Sequence, residues 1–117
     1  MKKVFYLATC STCIRILKEL DSFLTDFKLQ DIKTEKISSN DIDQMKALSG
    51  SYESLFSRRA MKYKSMGLLS KNLQEEDYRQ LILDEYTFLK RPVFIIANKI
   101  FIGNSAKVVE AVKIELT

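Results

Sequence analysis

The chain opens with a short apolar run that is followed by a helical spacing of apolar residues. Residues 4–8 are apolar and rich in β-forming types, which predicts a buried strand. Residues 9–12 are small and polar, which is typical of a turn. From residue 13 to about residue 24 the apolar side chains fall on one helical face, at Ile14, Leu17, Leu20 and Leu24. The pattern therefore predicts a strand, a tight turn and a helix.

The middle of the chain reads as a second strand and then only helices. Residues 27–32 alternate between apolar and polar, which predicts a half-covered strand. Ser38 begins a run of N-cap residues, and the helix that follows runs to about Leu48 and ends at Ser49-Gly50. Residues 52–66 predict one or two short helices closed by Gly67.

A longer helix is predicted from Glu75 to about Leu89. Asn72 or the residues just after it can cap this helix. Its inward-facing side chains are predicted to be Tyr78, Leu81, Ile82, Tyr86 and Leu89. No linker or repeat separates it from the preceding segments, so the stretch from about 38 to 89 reads as an all-helical insertion.

The last third of the chain predicts a hairpin and a final helix. Residues 93–96 form a clear strand, Asn98-Lys99 a two-residue turn, and residues 100–102 the partner strand. Residues 103–105 then break the chain and cap a helix that reaches Leu116. The order β-α-β, helices, β-β-α predicts an α/β fold of thioredoxin or glutaredoxin type. Its mixed four-stranded sheet is flanked by helices, and residues 1–117 form a single domain.

Composition narrows the class of protein. The chain has 117 residues, 46% of them hydrophobic, and carries 19 basic against 15 acidic residues for a net charge of +4. The two signs are mixed along most of the chain, which favours a solvated surface over a nucleic-acid stripe. No apolar run reaches the ~20 residues that span a bilayer, and the first one stops at Ala8. We expect a cytoplasmic protein without direct contact to membrane or nucleic acid.

The two cysteines form a C-x-x-C motif in the turn before the first helix. Cys10 is placed at the helix N-terminus, where free N–H groups and the helix dipole favour a thiolate. Cys13 lies one turn later and can attack an adduct on Cys10, so Cys10 is the predicted nucleophile and Cys13 the resolving thiol. A zinc site lacks ligands, since the chain has no histidine and no third cysteine. A structural disulfide or two unrelated buried cysteines are the other interpretations.

Arginines and the one proline complete the predicted site. Pro92 precedes the hairpin, where thioredoxin-like folds carry a cis-proline, although a proline that only ends the helix is the alternative. Arg91 would then lie beside Cys10. Arg59, with Arg58 as its substitute, is the second candidate for binding an oxyanion or thiolate, each being otherwise a surface arginine. The candidate substrate contacts are Ser11, Thr12 and Pro92.

The sequence resembles the arsenate reductase (ArsC) and Spx family of thioredoxin-fold proteins. The resemblance is carried by residues 6–13, by Leu55-Phe56-Ser57-Arg58-Arg59, by Lys90-Arg91-Pro92-Val93 and by Ile102-Gly103. It implies Cys10 as nucleophile, with Arg59 and Arg91 as its oxyanion or thiolate partners. The chain departs from glutaredoxin-coupled members in having Cys13 and in reading Gly103-Asn104 where they carry a further arginine.

Two functions follow from that resemblance, and a binding protein that keeps the fold but has idle cysteines is a third interpretation. In the first, the protein is a thiol-dependent oxidoreductase, whose Cys10 thiolate attacks an oxyanion such as arsenate or a disulfide, and Cys13 or an external thiol resolves the adduct. The electron donor would be glutathione, thioredoxin or glutaredoxin, with no bound cofactor and no metal. In the second, it is a redox-sensing regulator that binds RNA polymerase. The substrate, the donor and the oligomeric state are left open by the sequence.

Overall fold

The computed structural model describes all 117 residues as four strands and five α-helices joined by short 3-10 turns. The strands are β1 (Lys2–Tyr6), β2 (Lys28–Asp31), β3 (Val93–Ile96) and β4 (Lys99–Ile102). The helices are α1 (Ser11–Glu19), α2 (Ser39–Ser49), α3 (Met61–Ser65), α4 (Glu75–Asp84) and α5 (Ala106–Leu116). None of the helices is long and apolar enough to cross a membrane.

The four strands form one mixed sheet in the order β2-β1-β3-β4. Strands β1 and β2 are parallel, and α1 supplies the crossover connection that a parallel pair requires. Strand β3 runs antiparallel to β1, and β4 returns antiparallel to β3 as a hairpin. The predicted α/β class and the mixed four-stranded sheet are confirmed.

The chain divides into two compact units. The first, which we call the sheet unit, consists of Met1–Glu35 and Arg91–Thr117. The second, the helical unit, consists of Lys36–Lys90 and contains α2, α3 and α4. The bounds of the helical unit fall close to those predicted for the insertion. That residues 1–117 behave as a single domain stays a prediction.

Buried apolar side chains from β1, β3, α1 and α5 fill the core of the sheet unit. Cys13, Ile16 and Leu20 of the first helical segment are 0–1% exposed. The predicted inward face was wrong at Ile14, which is 40% exposed. The helix begins at Ser11 rather than Cys13 and ends at Glu19. Because Cys13 and Ile16 are on its buried face, Ile14 points toward solvent.

The first two strands differ from their predicted bounds. Strand β1 ends at Tyr6, two residues before the predicted end. In β2, Leu29 is 47% exposed, whereas Gln30 is 2% exposed and its Nε2 donates to the Glu35 carbonyl at 2.9 Å. Because side chains alternate along a strand, Gln30 and Ile32 take the buried face and Leu29 is left outside. The predicted half-covered strand is therefore present, and its buried face carries Gln30 and Ile32.

The helical unit confirms most of the predicted helix ends. Ser38 caps α2, and Gly50, with φ of +99°, ends it. Helix α4 is capped by Gln74 and ends at Asp84, so the prediction that it runs to Leu89 was wrong. A 3-10 turn, Tyr86–Phe88, follows instead and buries Phe88.

An aromatic cluster packs the helical unit. The ring of Phe56 lies 4.9 Å from that of Tyr78 and 5.0 Å from that of Phe88, centroid to centroid. The Phe56 segment pairs with the segment of Leu89, since the Ser57 N–H donates to the Phe88 carbonyl at 2.7 Å. Such close aromatic contacts add to the free energy gained from burial alone.

The predicted hairpin turn is shifted by one residue. Ile96 pairs with Lys99, so the two-residue turn is Ala97-Asn98 rather than Asn98-Lys99. Ala97 has a φ of +56°, the left-handed value that two-residue hairpin turns require. Asparagine adopts this conformation more readily than alanine, and its presence at 98 marked the turn but not its register.

A candidate redox-active cysteine site

Cys10 lies at the junction between β1 and α1. Its N–H donates to the Leu7 carbonyl at 3.0 Å, which closes the turn after the strand. Its own carbonyl accepts from the N–H of Ile14 at 3.1 Å, the first bond of the helix. Cys10 is therefore the N-cap residue of α1, as the sequence predicted, and its side chain is partly exposed.

The two thiols are in contrasting surroundings. Cys10 is partly exposed, whereas Cys13, the third residue of α1, is fully buried. Burial raises the pKa of Cys13 to about 12, because its thiolate would lose solvent and would face the sulfur of Cys10. Cys13 therefore keeps its proton under conditions in which Cys10 can lose its own.

The pKa of Cys10 is lowered from the ordinary value. Partial burial opposes ionisation, but attraction from the N–H and thiol of Cys13 and from Arg91 outweighs it. The sulfur makes no capping hydrogen bond of regular geometry, yet the Cys13 N–H lies close enough to favour the thiolate. The first turn of α1 contains no acidic residue that would oppose this effect.

Arg91 reaches the sulfur of Cys10 from the start of β3. Its guanidinium hydrogen-bonds to the sulfur and also acts on it through its charge. The Arg91–Pro92 peptide bond is cis, which confirms the prediction for Pro92. Pro92 is buried, and its carbonyl accepts from the N–H of Gly103 at 3.0 Å, so the hairpin fixes the segment that carries Arg91.

Ser11 and Thr12 occupy the first two positions of α1. Ser11 is exposed and Thr12 is half-buried. The N–H groups of a first helical turn have no partner within the helix and point toward its N-terminal end, where Cys10 lies. An anion at the sulfur could accept hydrogen bonds from them. Contact of Ser11, Thr12 and Pro92 with a substrate stays a prediction.

Arg59 and Arg58 lie side by side in the helical unit but differ in their partners. Arg58 donates to Glu53 at 2.7 Å and to the hydroxyl of Tyr78 at 2.9 Å. Arg59 is exposed and makes no hydrogen bond or ion pair within the chain. Of the two arginines that the sequence singled out here, Arg59 is thus the one available to a ligand. Its participation at Cys10 stays a prediction.

Asp31 is a residue that the sequence interpretation missed. It ends β2 opposite Tyr6, and its Oδ1 accepts from the N–H of Ala8 at 3.5 Å and from that of Lys33 at 3.2 Å. The carboxylate therefore ties the segment before Cys10 to the end of the neighbouring strand. Its signal was its place at the end of a strand parallel to β1, since the ends of parallel strands meet at one edge.

The structure does not bring together three His, Cys, Asp or Glu side chains that could hold a metal ion. The groups that the site does bring together are the two thiols and Arg91. A nucleophilic sulfur, a second thiol one turn away and a guanidinium beside the first sulfur are sufficient for attack on an electrophile and for its release by a thiol.

The sheet order, the helix that begins at the cysteine pair and the cis-proline before β3 define a protein of thioredoxin-like fold. The chain belongs to the ArsC family, whose model matches residues 5–112. No curated protein matches the sequence.

Solved structures show the same fold at low sequence identity. The YffB protein is 18% identical with a TM-score of 0.84, and the similarity covers both chains completely. An ArsC family related protein from Bacteroides fragilis is 21% identical, with a TM-score of 0.81 over 99% of this chain and 97% of its own. The arsenate reductase from Vibrio cholerae is 13% identical, with a TM-score of 0.79 over 99% and 97%.

Proposed function

We propose that the protein is a thiol-dependent reductase of arsenate-like oxyanions that uses Cys10 as its nucleophile. The observation that carries the proposal is the lowered pKa of Cys10 beside Arg91 at the start of α1. A thiolate is the reactive form of cysteine, and a guanidinium matches the negatively charged oxygens of a tetrahedral anion. Membership of the ArsC family supports the same chemistry.

In the first step, the Cys10 thiolate attacks the arsenic of bound arsenate. A bond forms between sulfur and arsenic, and one arsenate oxygen leaves as water after it has taken up protons. Arg91 offsets the negative charge on the remaining oxygens, and the N–H groups of Ser11 and Thr12 donate hydrogen bonds to the same oxygens. Arg59 is proposed as a second positive charge on the anion.

In the second step, a thiol attacks the sulfur of Cys10. The sulfur–arsenic electron pair passes to arsenic, so arsenate is reduced to arsenite while two thiols are oxidised to a disulfide. Cys13 is the intramolecular candidate: once the charge of Cys10 is consumed in the adduct, one of the causes that raise the pKa of Cys13 is gone. An external thiol such as glutathione is the alternative. Thioredoxin or glutaredoxin would then return the cysteines to thiols.

The test is reduction of arsenate by the parent protein and by Cys10→Ser and Cys13→Ser, with glutathione plus glutaredoxin or with thioredoxin as donor. Cys10→Ser is expected to abolish turnover with every donor. Loss in Cys13→Ser as well would assign the resolving step to Cys13, and retained turnover would assign it to the external thiol. Ser65→Ala, an exposed change in the helical unit, is the matched control.

Arsenate reduction that survives Cys10→Ser would contradict the proposal. The same variants assayed with a glutathionylated peptide would distinguish a disulfide substrate from an oxyanion. Absence of turnover with any donor, together with co-purification of RNA polymerase, would instead support the regulator that the sequence left as the second interpretation.

A further inference from the structure

The helical unit carries a basic segment, residues 58–71, of which only Arg59 has a proposed role in the chemistry of Cys10. No acidic residue lies between Glu53 and Glu75, whereas five basic residues do. Those five exceed the net charge of +4 of the whole chain. The basic residues are Arg58, Arg59, Lys62, Lys64 and Lys71.

Three of these cations have no partner within the chain. Arg58 is bound to Glu53 at 2.7 Å, and Lys62 approaches Glu85 at 3.3 Å. Arg59, Lys64 and Lys71 are exposed and make no ion pair. Unpaired cations that share one short segment produce a local positive potential, which attracts an acidic surface and speeds its encounter.

The same segment exposes the large apolar side chains of the helical unit. Met61 is 89% exposed, Leu69 80% and Met66 47%, and no other large apolar side chain of this unit is exposed to a comparable extent. Clustered apolar exposure marks interaction sites, and methionine adapts readily to the shape of a partner. Apolar contacts ringed by charge are the usual anatomy of a protein interface.

The fold holds these side chains in one place. Helix α3 contacts the 3-10 turn Leu68–Ser70, and Gly67, which lies between them, has the left-handed φ of +67°. Leu68 is buried, and the ring of Tyr63 packs on the edge of Phe56 at 5.9 Å. The anchors therefore point inward while Met61 and Leu69 point to solvent, so the exposure is a property of the fold and not of a frayed end.

We propose that residues 58–71 form a docking surface for an acidic protein partner, with Met61, Met66 and Leu69 as its apolar contacts and Lys64 and Lys71 as its charged rim. A membrane surface fits less well, because α3 has only five residues and forms no extended amphipathic helix. Nucleic acid fits less well, because apolar side chains occupy the positions between the cations. The proposal does not depend on the reaction at Cys10, because none of these apolar contacts and neither lysine has a role in that reaction.

The test uses a synthetic helical peptide with leucine on one face and glutamate on the other, titrated into the isotope-labelled full chain and followed by NMR. Shift changes are expected in the amides of residues 58–71, with weaker binding as salt is raised. The double variants Met61→Ser/Leu69→Ser and Lys64→Glu/Lys71→Glu are each expected to weaken binding about tenfold or more. Lys36→Glu and Ile114→Ser change an exposed lysine and an exposed isoleucine elsewhere and are expected to bind as the parent does.

Equal binding by both double variants and the parent would overturn the proposal. Tighter binding of phosphatidylglycerol vesicles, of a DNA duplex or of a second copy of the chain in sedimentation would overturn it as well, since each assigns the surface to another occupant. Thermal unfolding of each variant shows whether the segment is still folded, and the charge pair is the safer change because both lysines are exposed.

Discussion

Helix α1 of the sheet unit and helices α2 and α4 of the helical unit begin in opposite ways. In α2, the Ser38 hydroxyl accepts from the Asp41 N–H at 3.0 Å, and the Asp41 carboxylate accepts from the Ser38 N–H at 3.1 Å. In α4, Asp77 accepts from the Gln74 N–H at 2.7 Å, and further acids precede it in the first turn. Helix α1 has no acid in its first turn, and the place of Asp41 and Asp77, the third helical position, is taken by Cys13.

The difference shows what each helix start is used for. Carboxylates at the positive end of a helix stabilise it, and in α2 and α4 they satisfy N–H groups that would otherwise need water. In α1 the side chain at this positive end is the sulfur of Cys10, so the helix start favours the thiolate of Cys10 instead. A fully capped start contributes to the free energy of folding, whereas the start of α1 favours a reactive anion.

The largest expected effect concerns Cys13, which keeps its proton in the fold. The pKa of its thiol is raised from 9.0 to about 12 by burial, so between these values the unfolded chain loses a proton that the folded chain retains. The contribution of Cys13 to the free energy of unfolding is therefore fully present below pH 9 and is lost as the pH rises toward 12. Urea unfolding of the reduced protein between pH 8 and pH 11 is expected to show falling stability, and less steeply so in Cys13→Ala.

Cys10→Ser is the matched comparison for that experiment. The pKa of Cys10 is lowered in the fold, so the parent gains stability from Cys10 as the pH rises toward 9, and the serine variant does not. The two variants are therefore expected to change the pH dependence in opposite directions. Identical slopes for the parent and Cys13→Ala would contradict the assignment of Cys13 as the buried, protonated thiol.

The second prediction tests the cation at the sulfur of Cys10. Arg91→Ala removes a charge and a hydrogen bond from the thiolate, and hydrogen bonds to charged groups contribute about 1.5–3 kcal/mol. The rate of Cys10 alkylation by iodoacetamide at pH 7 is expected to fall about tenfold or more, with a smaller loss in Arg91→Lys. The measurement is the pH profile of that rate, which reports the pKa of Cys10 directly.

Arg79→Ala is the control, since Arg79 is an arginine of the helical unit bound to Asp43, with 2.8 Å between its Nε and the carboxylate. That variant is expected to leave the alkylation rate unchanged, because Arg79 does not contact Cys10. It is expected to lower the stability of the fold slightly, because the ion pair with Asp43 is lost. A rate in Arg91→Ala equal to that of the parent would show that the helix start alone activates Cys10.

The sequence predicted the order and type of the elements because each is marked locally. Residues 93–96 are apolar throughout and become β3, 0–6% exposed, and Ser38 and Gly50 bound α2 where they were expected to. The misses lie where tertiary packing overrides the local pattern. Ile14 was predicted on the apolar face of the first helix but is 40% exposed, and in β2 the polar Gln30 is buried while Leu29 is exposed.

The candidate site was predictable where its residues are close together in the sequence. Cys10 and Cys13 share one turn, so their spacing was sufficient to predict the N-cap thiol. Arg91 was predicted from its place before the proline and strand β3, and the hydrogen bond to the sulfur is the tertiary result. Asp31 could not be found from local pattern, because its role depends on the parallel pairing of two strands that are distant in sequence.

The smallest expected effect comes from a substitution that places an acid in the first turn of α1, as in α2 and α4. Ser11→Asp places a carboxylate in the first turn, at an exposed position next to Cys10. A charge at a helix end changes the free energy by about 0.3–1 kcal/mol, so alkylation of Cys10 at pH 7 is expected to slow about two- to fivefold. The pKa of Cys10 rises because the new anion opposes the thiolate, and added salt is expected to reduce the effect.

The same substitution is expected to act on stability with the opposite sign. An acid in the first turn interacts favourably with the helix dipole, so urea unfolding of Ser11→Asp is expected to show equal or greater stability than Ser11→Asn, the neutral control of similar size. Slower alkylation together with unchanged or higher stability would show that the absence of an acid from the first turn of α1 helps to keep the pKa of Cys10 low. Equal alkylation rates in the aspartate and asparagine variants would contradict this and leave Arg91 as the main cause of the lowered pKa.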